Sequence, residues 1–223
     1  MKTFTSLFIF SIALMSLNAQ SIFVESGKSI SGFEFENSQQ EPLENLYTKT
    51  KTYISIGYEH EFRKIKNLGI QFGLTHNSYG ANGSDGVLNN YFEWDIDYLG
   101  LQSMLKYIVV DGYDWDIFLR LGASAEFFLN GNQTINNQVL SLKGVEEFDN
   151  IPIFIRSGLG ASYRISTNTR LYISYTYGQS FELNDNSNSS SGANQQSKEA
   201  LKILNNQFGV GLIFHLQERN CCP

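Results

Sequence analysis

The segment "WDIFLRLGASAEF", residues 115–127, has an apolar side chain at every second position along its whole length. Every odd-numbered residue in it is apolar, whereas the even-numbered positions include Asp116, Arg120 and Glu126. Successive side chains of a β-strand point to opposite faces, so the segment predicts a strand with one uncharged apolar face. Such a face suits lipid, and small residues with paired charges suit the interior of a narrow membrane barrel.

Seven other segments continue this pattern along the chain. The predicted strands lie near residues 27–37, 48–62, 68–80, 89–108, 115–129, 151–165, 170–183 and 206–217. Short connections at 63–67, 110–114 and 166–169 alternate with longer ones at 38–47, 81–88, 130–150 and 184–205. Outer-membrane barrels alternate short periplasmic turns with long outer loops in the same way. The sequence therefore predicts an all-β fold, an eight-stranded antiparallel up-and-down transmembrane β-barrel over residues 20–217.

Composition agrees with many strands and excludes nucleic-acid binding. The 223 residues include 12 Tyr, 17 Phe and 19 Gly with only 3 Pro, a mixture that favours strands. The net charge of −6 comes without a basic run, so a nucleic-acid partner has no electrostatic footprint. A soluble barrel or sandwich is the alternative, but it should carry many Lys and Glu side chains on its solvent face. The polar face here is instead rich in Gly, Ser and Thr.

Both ends of the chain predict processing and location rather than chemistry. Lys2 and the apolar run at residues 7–17 read as a secretory signal peptide over residues 1–19, cleaved after residue 19 or 20. The exported protein would reach the outer membrane, with the barrel-assembly machinery as a transient partner and lipid as its surroundings. Residues 218–223 form a short tail with Cys221 and Cys222, which have no other cysteine to pair with. Within the last long connection, residues 198–204 could form one helical turn.

The segment "NNYFEWDIDYLG", residues 89–100, raises the question of which face meets lipid. Phe92, Trp94, Ile96 and Tyr98 alternate with three carboxylates, and the alternation shifts near residues 99 and 100. We interpret the aromatic face as lipid-facing, the acids as pointing into the barrel, and the shift as a β-bulge.

The chain resembles the small outer-membrane β-barrel proteins of Gram-negative bacteria, in particular the Bacteroidota proteins called PorT-like. The signal ending "LNAQ", the eight-strand spacing and the last strand "FGVGLIFHL" carry the resemblance. It implies an up-and-down barrel, and it adds a role as a secretion or envelope-assembly accessory, with an unidentified envelope protein as partner, to the candidate functions.

Charged residues on the predicted inner face form the main candidate site. Parity places eight of them in the lumen: Glu59, Glu61, Asp95, Asp97, Arg120, Glu126, Arg156 and Arg164. Antiparallel neighbours bring Glu126 near the level of Arg156. Because an unpaired buried charge is costly, we expect Arg–carboxylate pairs that plug the lumen. A narrow, charge-selective pore is the alternative.

A hypothesis of catalysis rests on the segment "THNSYG", where His76 and Ser78 lie two residues apart. Outer-membrane lipid A deacylases use a His-x-Ser pair with an acid on the next strand, and Glu93 is the available acid. Parity, however, puts Glu93 on the face opposite His76 and Ser78. The sequence therefore predicts a protein that is not an enzyme, with no cofactor and no metal site. Aromatic residues near strand ends predict interfacial girdles: Tyr79, Tyr91, Trp94, Trp115, Tyr163 and Tyr177.

Overall fold

The structure, a computed structural model, describes residues 21–36, 45–62, 64–85, 90–144, 151–181, 183–184 and 200–216. The predicted signal peptide and the cysteine tail lie outside these residues. The strands are β1 (Ser21–Glu36), β2 (Leu46–Glu61), β3 (Leu68–Asp85), β4 (Asn90–Asp111), β5 (Trp115–Ile135), β6 (Gln138–Ser141), β7 (Ile153–Ser166), β8 (Thr169–Ser180), β9 (Leu183–Asn184) and β10 (Ala200–His215). No helix in the described part of the chain is long and apolar enough to cross a membrane.

Eight long strands form a closed antiparallel barrel, which confirms the predicted fold. Each long strand pairs with the next long strand along the chain, so that β5 pairs with β7 and β8 with β10. β1 closes the barrel on β10, from Ser21 opposite His215 to Glu36 opposite Ala200. The short strands β6 and β9 are additions that pair with β5 and β10. β1 begins ahead of the predicted start at residue 27. Residues 200–204, considered above as a helical turn, belong to β10 because β1 supplies their backbone partners.

An apolar belt surrounds the barrel. Its side chains point outward and are half-exposed, for example Leu101 at 53%, Leu121 at 57% and Ile173 at 60%. On β4 the belt covers residues 99–109, and about 9–11 residues are enough for a strand to cross the hydrocarbon core. The belt therefore has the height that a bilayer requires.

Three strands continue well beyond the belt, at the end opposite the short turns. β3, β4 and β5 contain 18, 22 and 21 residues, about twice the length that a spanning strand needs. The predicted loop 81–88 is largely wrong, because β3 continues to Asp85 and β4 begins at Asn90. We call residues 78–85, 90–97 and 130–135, together with β6, the outer extension.

Within the predicted loop 130–150, a tight turn starts β6. Asn136 and Asn137 have φ angles of 48° and 70°, the left-handed conformation that two-residue hairpin turns require and asparagine tolerates. The chain then runs back beside the end of β5 as β6. The loop predicted there is thus partly a second hairpin of the outer extension, beside the β3–β4 hairpin.

The acidic segment of β4 faces the opposite way from our interpretation. Ile96 and Tyr98 are buried inside the barrel at 1% and 0% exposure, and the intervening carboxylates lie on the outer face. β4 keeps its even-numbered residues inward, down to Met104 and Lys106. What changes at Leu99 is the medium: lipid surrounds the strand below this residue and water surrounds it above. The apolar positions therefore move from odd to even numbers while the strand itself continues unchanged.

The predicted bulge at residues 99 and 100 is accordingly wrong. Leu99 pairs without interruption with His76 of β3 and Phe127 of β5. The register shifts of this hairpin lie instead between Asp97 and Tyr98, where Leu129 is the extra residue on β5, and at Val109. A shift in hydrophobic alternation marked the boundary of the bilayer here, not a backbone irregularity.

A charged side chain placed in the apolar belt should destabilise the barrel. Leu121 lies midway between Trp115 and Phe127 on the outward face of β5, near the middle of the bilayer. We expect Leu121→Arg to lower the free energy of unfolding from phospholipid vesicles by about 2–4 kcal/mol, because an arginine at this depth faces hydrocarbon. Ile65→Arg, in an exposed turn, is the control and should change it little. Equal effects of the two substitutions in urea titrations would place the belt elsewhere.

Candidate functional site: a layered lumen

The lumen is filled by layers of side chains that can be followed along β5. From the short-turn end toward the outer end, β5 points Asp116, Phe118, Arg120, Ser124 and Glu126 inward, and all five are at most 5% exposed. Ser124 and Glu126 share one set of contacts across the barrel, and the other three each belong to a different set. Sequence parity placed the three charged residues of this strand on the inner face, and the structure places them there.

The outermost polar layer is built around Arg156 and Glu126. Their side chains are 2% and 0% exposed, and Arg156 Nη2 lies 2.5 Å from Glu126 Oε1. The same guanidinium donates to Ser124 Oγ at 2.8 Å, to Gln207 Oε1 at 3.0 Å and to the Tyr79 hydroxyl at 2.9 Å. Asn77 of β3 also donates to Glu126, at 2.8 Å, so four strands (β3, β5, β7 and β10) contribute to one buried network. The predicted pairing of Glu126 with Arg156 is confirmed.

The next layer is centred on Glu25 of β1, which the sequence analysis missed. Arg120 Nη1 donates to Glu25 Oε2 at 2.8 Å, and the other carboxylate oxygen accepts from Tyr53 at 2.6 Å and Ser174 at 2.9 Å. Gly209 makes the space for this cluster, because a Cβ there would lie 2.1 Å from the Tyr53 hydroxyl and 2.7 Å from Glu25. Four strands meet at one carboxylate, so Glu25 is the hub of the layer.

Two apolar clusters enclose the polar layers. The outer cluster lies within the mouth of the barrel and comprises Phe33, Tyr79, Ala81, Ile96, Tyr98, Leu142, Phe154 and Ile203. The inner cluster lies toward the short-turn end and comprises Phe23, Phe118, Tyr172 and Ile213. The lumen therefore alternates apolar, polar and apolar contents from mouth to base.

A cavity of about 890 Å³ opens at the short-turn end, beneath the inner apolar cluster. We call it the vestibule. Lys106 Nζ lies 2.7 Å from Glu59 Oε1 in its wall, and Gln71 donates to the other Glu59 oxygen at 2.6 Å. Asp116 forms an ion pair with Arg170. Glu61 and Arg164, two of the predicted lumen charges, also line the vestibule.

Asp95 and Asp97, also predicted for the lumen, lie instead on the outer surface of the extension. Asp95 forms ion pairs with Lys49 and Lys51 of β2, reaching across Gly80 of β3. A Cβ at Gly80 would lie 2.9 Å from Lys49 Cδ and 3.2 Å from Asp95 Oδ1, so the absence of a side chain permits the contact. These acids meet water rather than lipid, which is why they can point outward.

The β2–β3 ladder is interrupted beneath these ion pairs. The register shifts between Thr48 and Tyr53, which leaves Gly80 without its expected backbone partner on β2. Ser31 of β1 replaces that partner: its hydroxyl accepts from Gly80 N at 2.8 Å and donates to Gly80 O at 2.9 Å. A single buried hydroxyl thus satisfies both backbone groups.

Acid should loosen the ion pairs of the extension. Partial burial tends to raise the pKa of Asp95, but Lys49 and Lys51 outweigh it and lower this pKa below the ordinary value. The stabilisation is therefore present above the unfolded-state pKa and is lost as the pH falls through the lower folded pKa. We expect residues 90–97 to keep their hydrogen-exchange protection at pH 5 and to lose part of it near pH 3, after correction for intrinsic rates. Asp95→Asn should lack this difference, and a native protein equally protected at both pH values would contradict the prediction.

The residues considered for catalysis do not assemble into a triad. His76 and Ser78 lie on the outer face of β3, and Ser78 donates to Asp97 at 2.6 Å rather than to His76. Glu93 shares that face, contrary to the parity assignment, but it pairs with Lys49. It also lies six residues from Leu99, the partner of His76, or about 20 Å along the strand. Among the described residues, no three His, Cys, Asp or Glu side chains are grouped so as to hold a metal ion.

The predicted aromatic girdle is correct only in part. Trp115 and Tyr163, directly paired and 49% and 58% exposed, lie outward at the short-turn end of the belt. Tyr177 is also outward and half-buried, and Tyr91 is exposed on the outer extension. Tyr79 and Trp94 are wrong as girdle residues: Tyr79 is fully buried in the lumen, and Trp94 packs against the outer apolar cluster.

Comparisons with known proteins identify the fold. No family model and no curated protein matches the chain, so the PorT-like subtype stays a prediction. The outer membrane protein OprG from Pseudomonas aeruginosa matches with a TM-score of 0.50 at 14% identity, covering 89% of this chain and 97% of OprG. The outer membrane protease OmpT from Escherichia coli gives 0.50 at 8% identity, with 89% and 97% covered. Neisserial surface protein A gives 0.46 at 12% identity, with 86% and 96% covered. The chain therefore has the closed β-barrel fold of bacterial outer-membrane proteins.

Proposed function

We propose that this protein is a non-enzymatic barrel of the outer membrane that does not conduct ions and acts through its outer extension. The observation that carries the proposal is the filled lumen: the buried Arg156–Glu126 pair lies beneath an apolar cluster that includes Tyr98 and Phe154. Eight strands enclose an interior that side chains can fill, so such layers leave no continuous water path. The salt bridges then serve as a structural plug rather than as a selectivity filter.

The outer extension is the surface that this proposal assigns to function. Paired strands hold it rigid above the belt, and cross-strand ion pairs such as Lys49–Asp95 lie on its outer face. A rigid sheet beyond the headgroups can present side chains to other molecules without paying the entropy of ordering a loop. We propose that it contacts a second component of the cell envelope, which also fits the accessory role that the PorT-like resemblance implies.

Single-channel recording tests the closed lumen. The mature protein, refolded into a planar bilayer, is expected to give no steady conductance, with heat-modifiable gel migration as the control that the barrel has formed. A Tyr98→Ala, Phe154→Ala double variant should also remain closed, because the Arg156 and Glu25 layers lie beneath these rings. Steady, ion-dependent conductance of the native barrel would mean that the lumen is an open pore and not a plug.

A shortened hairpin tests the outer extension. Replacing residues 82–93 by Asn-Gly joins Ala81 to its cross-strand partner Trp94 and keeps the rest of the ladder. We expect this variant to fold with native gel migration but to lose any envelope protein that is crosslinked to the full-length barrel in cells. Retention of the same crosslinked partner by the shortened barrel would exclude the β3–β4 hairpin of the extension as the contact surface.

A further inference from the structure

The vestibule has the size and the construction of a ligand site. Its volume of about 890 Å³ lies within the range of about 300–1,000 Å³ that is typical of small-molecule pockets. It opens at the short-turn end and is closed on the inside by the inner apolar cluster around Phe118 and Tyr172. A molecule entering from the periplasm would therefore stop there instead of crossing the barrel.

The vestibule wall carries four acidic and four basic side chains, and two of the basic ones, both arginines, are neighbours. Arg164 of β7 and Arg170 of β8 are directly opposite each other, and like charges in this arrangement repel. Asp116 pairs with Arg170. Arg164 instead has its guanidinium carbon 5.7 Å from the ring centroid of Tyr113, and no carboxylate of the described residues lies within ion-pair distance of it. Arg164 thus lines the vestibule without a carboxylate partner among the described residues.

Asp116 supplies a second requirement. It is 4% exposed, and its Oδ2 contacts Arg170 and accepts from Ser162 at 3.3 Å. Its Oδ1 is buried, and no hydrogen-bond donor among the described residues reaches it. A buried carboxylate oxygen without a donor is costly, so the site lacks both an anion for Arg164 and a donor for Asp116.

We propose that the vestibule binds a hydrogen phosphate group, either free or at the end of a small monoester. Its anionic oxygens would lie between Arg164 and Arg170, whose planar guanidinium groups suit phosphate, and its P–OH would donate to Asp116 Oδ1. Sulfate and simple carboxylates carry no such hydroxyl at neutral pH. The remaining charged or titratable groups of the wall are Glu59, Glu61, Lys66, Lys106, Asp111 and His215.

Calorimetry on the detergent-folded barrel, with inorganic phosphate and sulfate as probes at neutral pH and low salt, tests this site. We expect phosphate to bind at least about tenfold more tightly than sulfate, and Arg164→Gln to weaken phosphate binding by about tenfold or more. Lys64→Gln removes an exposed charge from the nearby turn at residues 64–67 and should leave binding unchanged. Equal binding of the two anions, or unchanged binding by Arg164→Gln, would overturn the proposal. Folding of each variant is checked by gel migration.

Two further experiments identify the source of the phosphate group and test the hydrogen bond from its P–OH to Asp116. Glycerol 3-phosphate has a second pKa near 6, so it should bind about tenfold more tightly at pH 5.5 than at pH 7.5 if a protonated monoester is recognised. Sulfate at both pH values controls for titration of His215. A monoester that binds more weakly than free phosphate at pH 5.5 would assign the site to free phosphate. Asp116→Asn, whose amide can donate, should lose the preference for phosphate over sulfate, and a retained preference would exclude Asp116 as the acceptor.

Discussion

Replacing Arg156 by alanine should lower the free energy of unfolding by about 3–5 kcal/mol, measured by urea titration in detergent micelles or vesicles. The reason is the charge left behind. Glu126 is fully buried, and Arg156 is its ion-pair partner as well as a donor to Ser124, Gln207 and Tyr79. Without the guanidinium, the carboxylate keeps only neutral donors such as Asn77 in a site shielded from water.

A double-mutant cycle separates the charge from the packing. The Arg156→Leu, Glu126→Leu protein should be more stable than either single leucine variant, because removing both charges together leaves neither one unpaired. Arg164→Ala is the matched control: this half-buried arginine at the rim has no carboxylate partner among the described residues, and its loss should cost less than about 1 kcal/mol. An Arg156→Ala loss as small as that of the control would mean that the buried pair contributes little.

Replacing Glu25 by alanine should be about as damaging, again about 3–5 kcal/mol, because it removes the hub of the second layer. Arg120, which is 5% exposed, would lose its ion-pair partner, and Tyr53 and Ser174 would lose their acceptor. Because Glu25 lies in the strand that closes the barrel on β10, we also expect slower folding into vesicles, followed by the gel shift of the closed form.

Glu25→Gln distinguishes charge from hydrogen bonding at this position. The amide oxygen can still accept from Tyr53, but the negative charge beside Arg120 is lost. We expect Gln to cause most of the alanine effect, since an uncompensated buried guanidinium is the larger cost. A Gln variant as stable as the native protein would show that hydrogen bonds, rather than the ion pair, hold this layer. Glu34→Ala, an exposed acid of the same strand, serves as the control.

The barrel itself could be predicted because alternation is a local property of each strand. In residues 115–127 the apolar face is unbroken, and parity alone put Arg120, Glu126 and Arg156 inside, where they are found. The strand count followed from the same periodicity and the spacing of the connections. Nothing beyond neighbouring side chains was needed for these inferences.

The errors arose where a strand changes its surroundings. Alternation separates two faces but does not say which medium each face meets, so the aromatics of residues 92–98 were assigned to lipid although they fill the barrel mouth. The sequence analysis missed Glu25 because it predicted a first strand that begins at residue 27, whereas β1 begins at Ser21. Lys106 could have been found: a lone lysine within the apolar run of residues 104–110 requires a buried acid, and Glu59 on β2 supplies it.

The reversal of apolar parity at Leu99 fixes how deep the protein sits. Sinking the barrel by two residues along β4 would carry Asp97 into hydrocarbon, and raising it by the same step would expose Leu99 and its belt neighbours to water. Both displacements cost free energy, so the height of the molecule in the bilayer is set by its own sequence and needs no specific lipid contact. In a membrane of different thickness, the boundary at Leu99 should therefore keep its place, and the lipid should deform to take up the mismatch at the short-turn end, beside Trp115 and Tyr163.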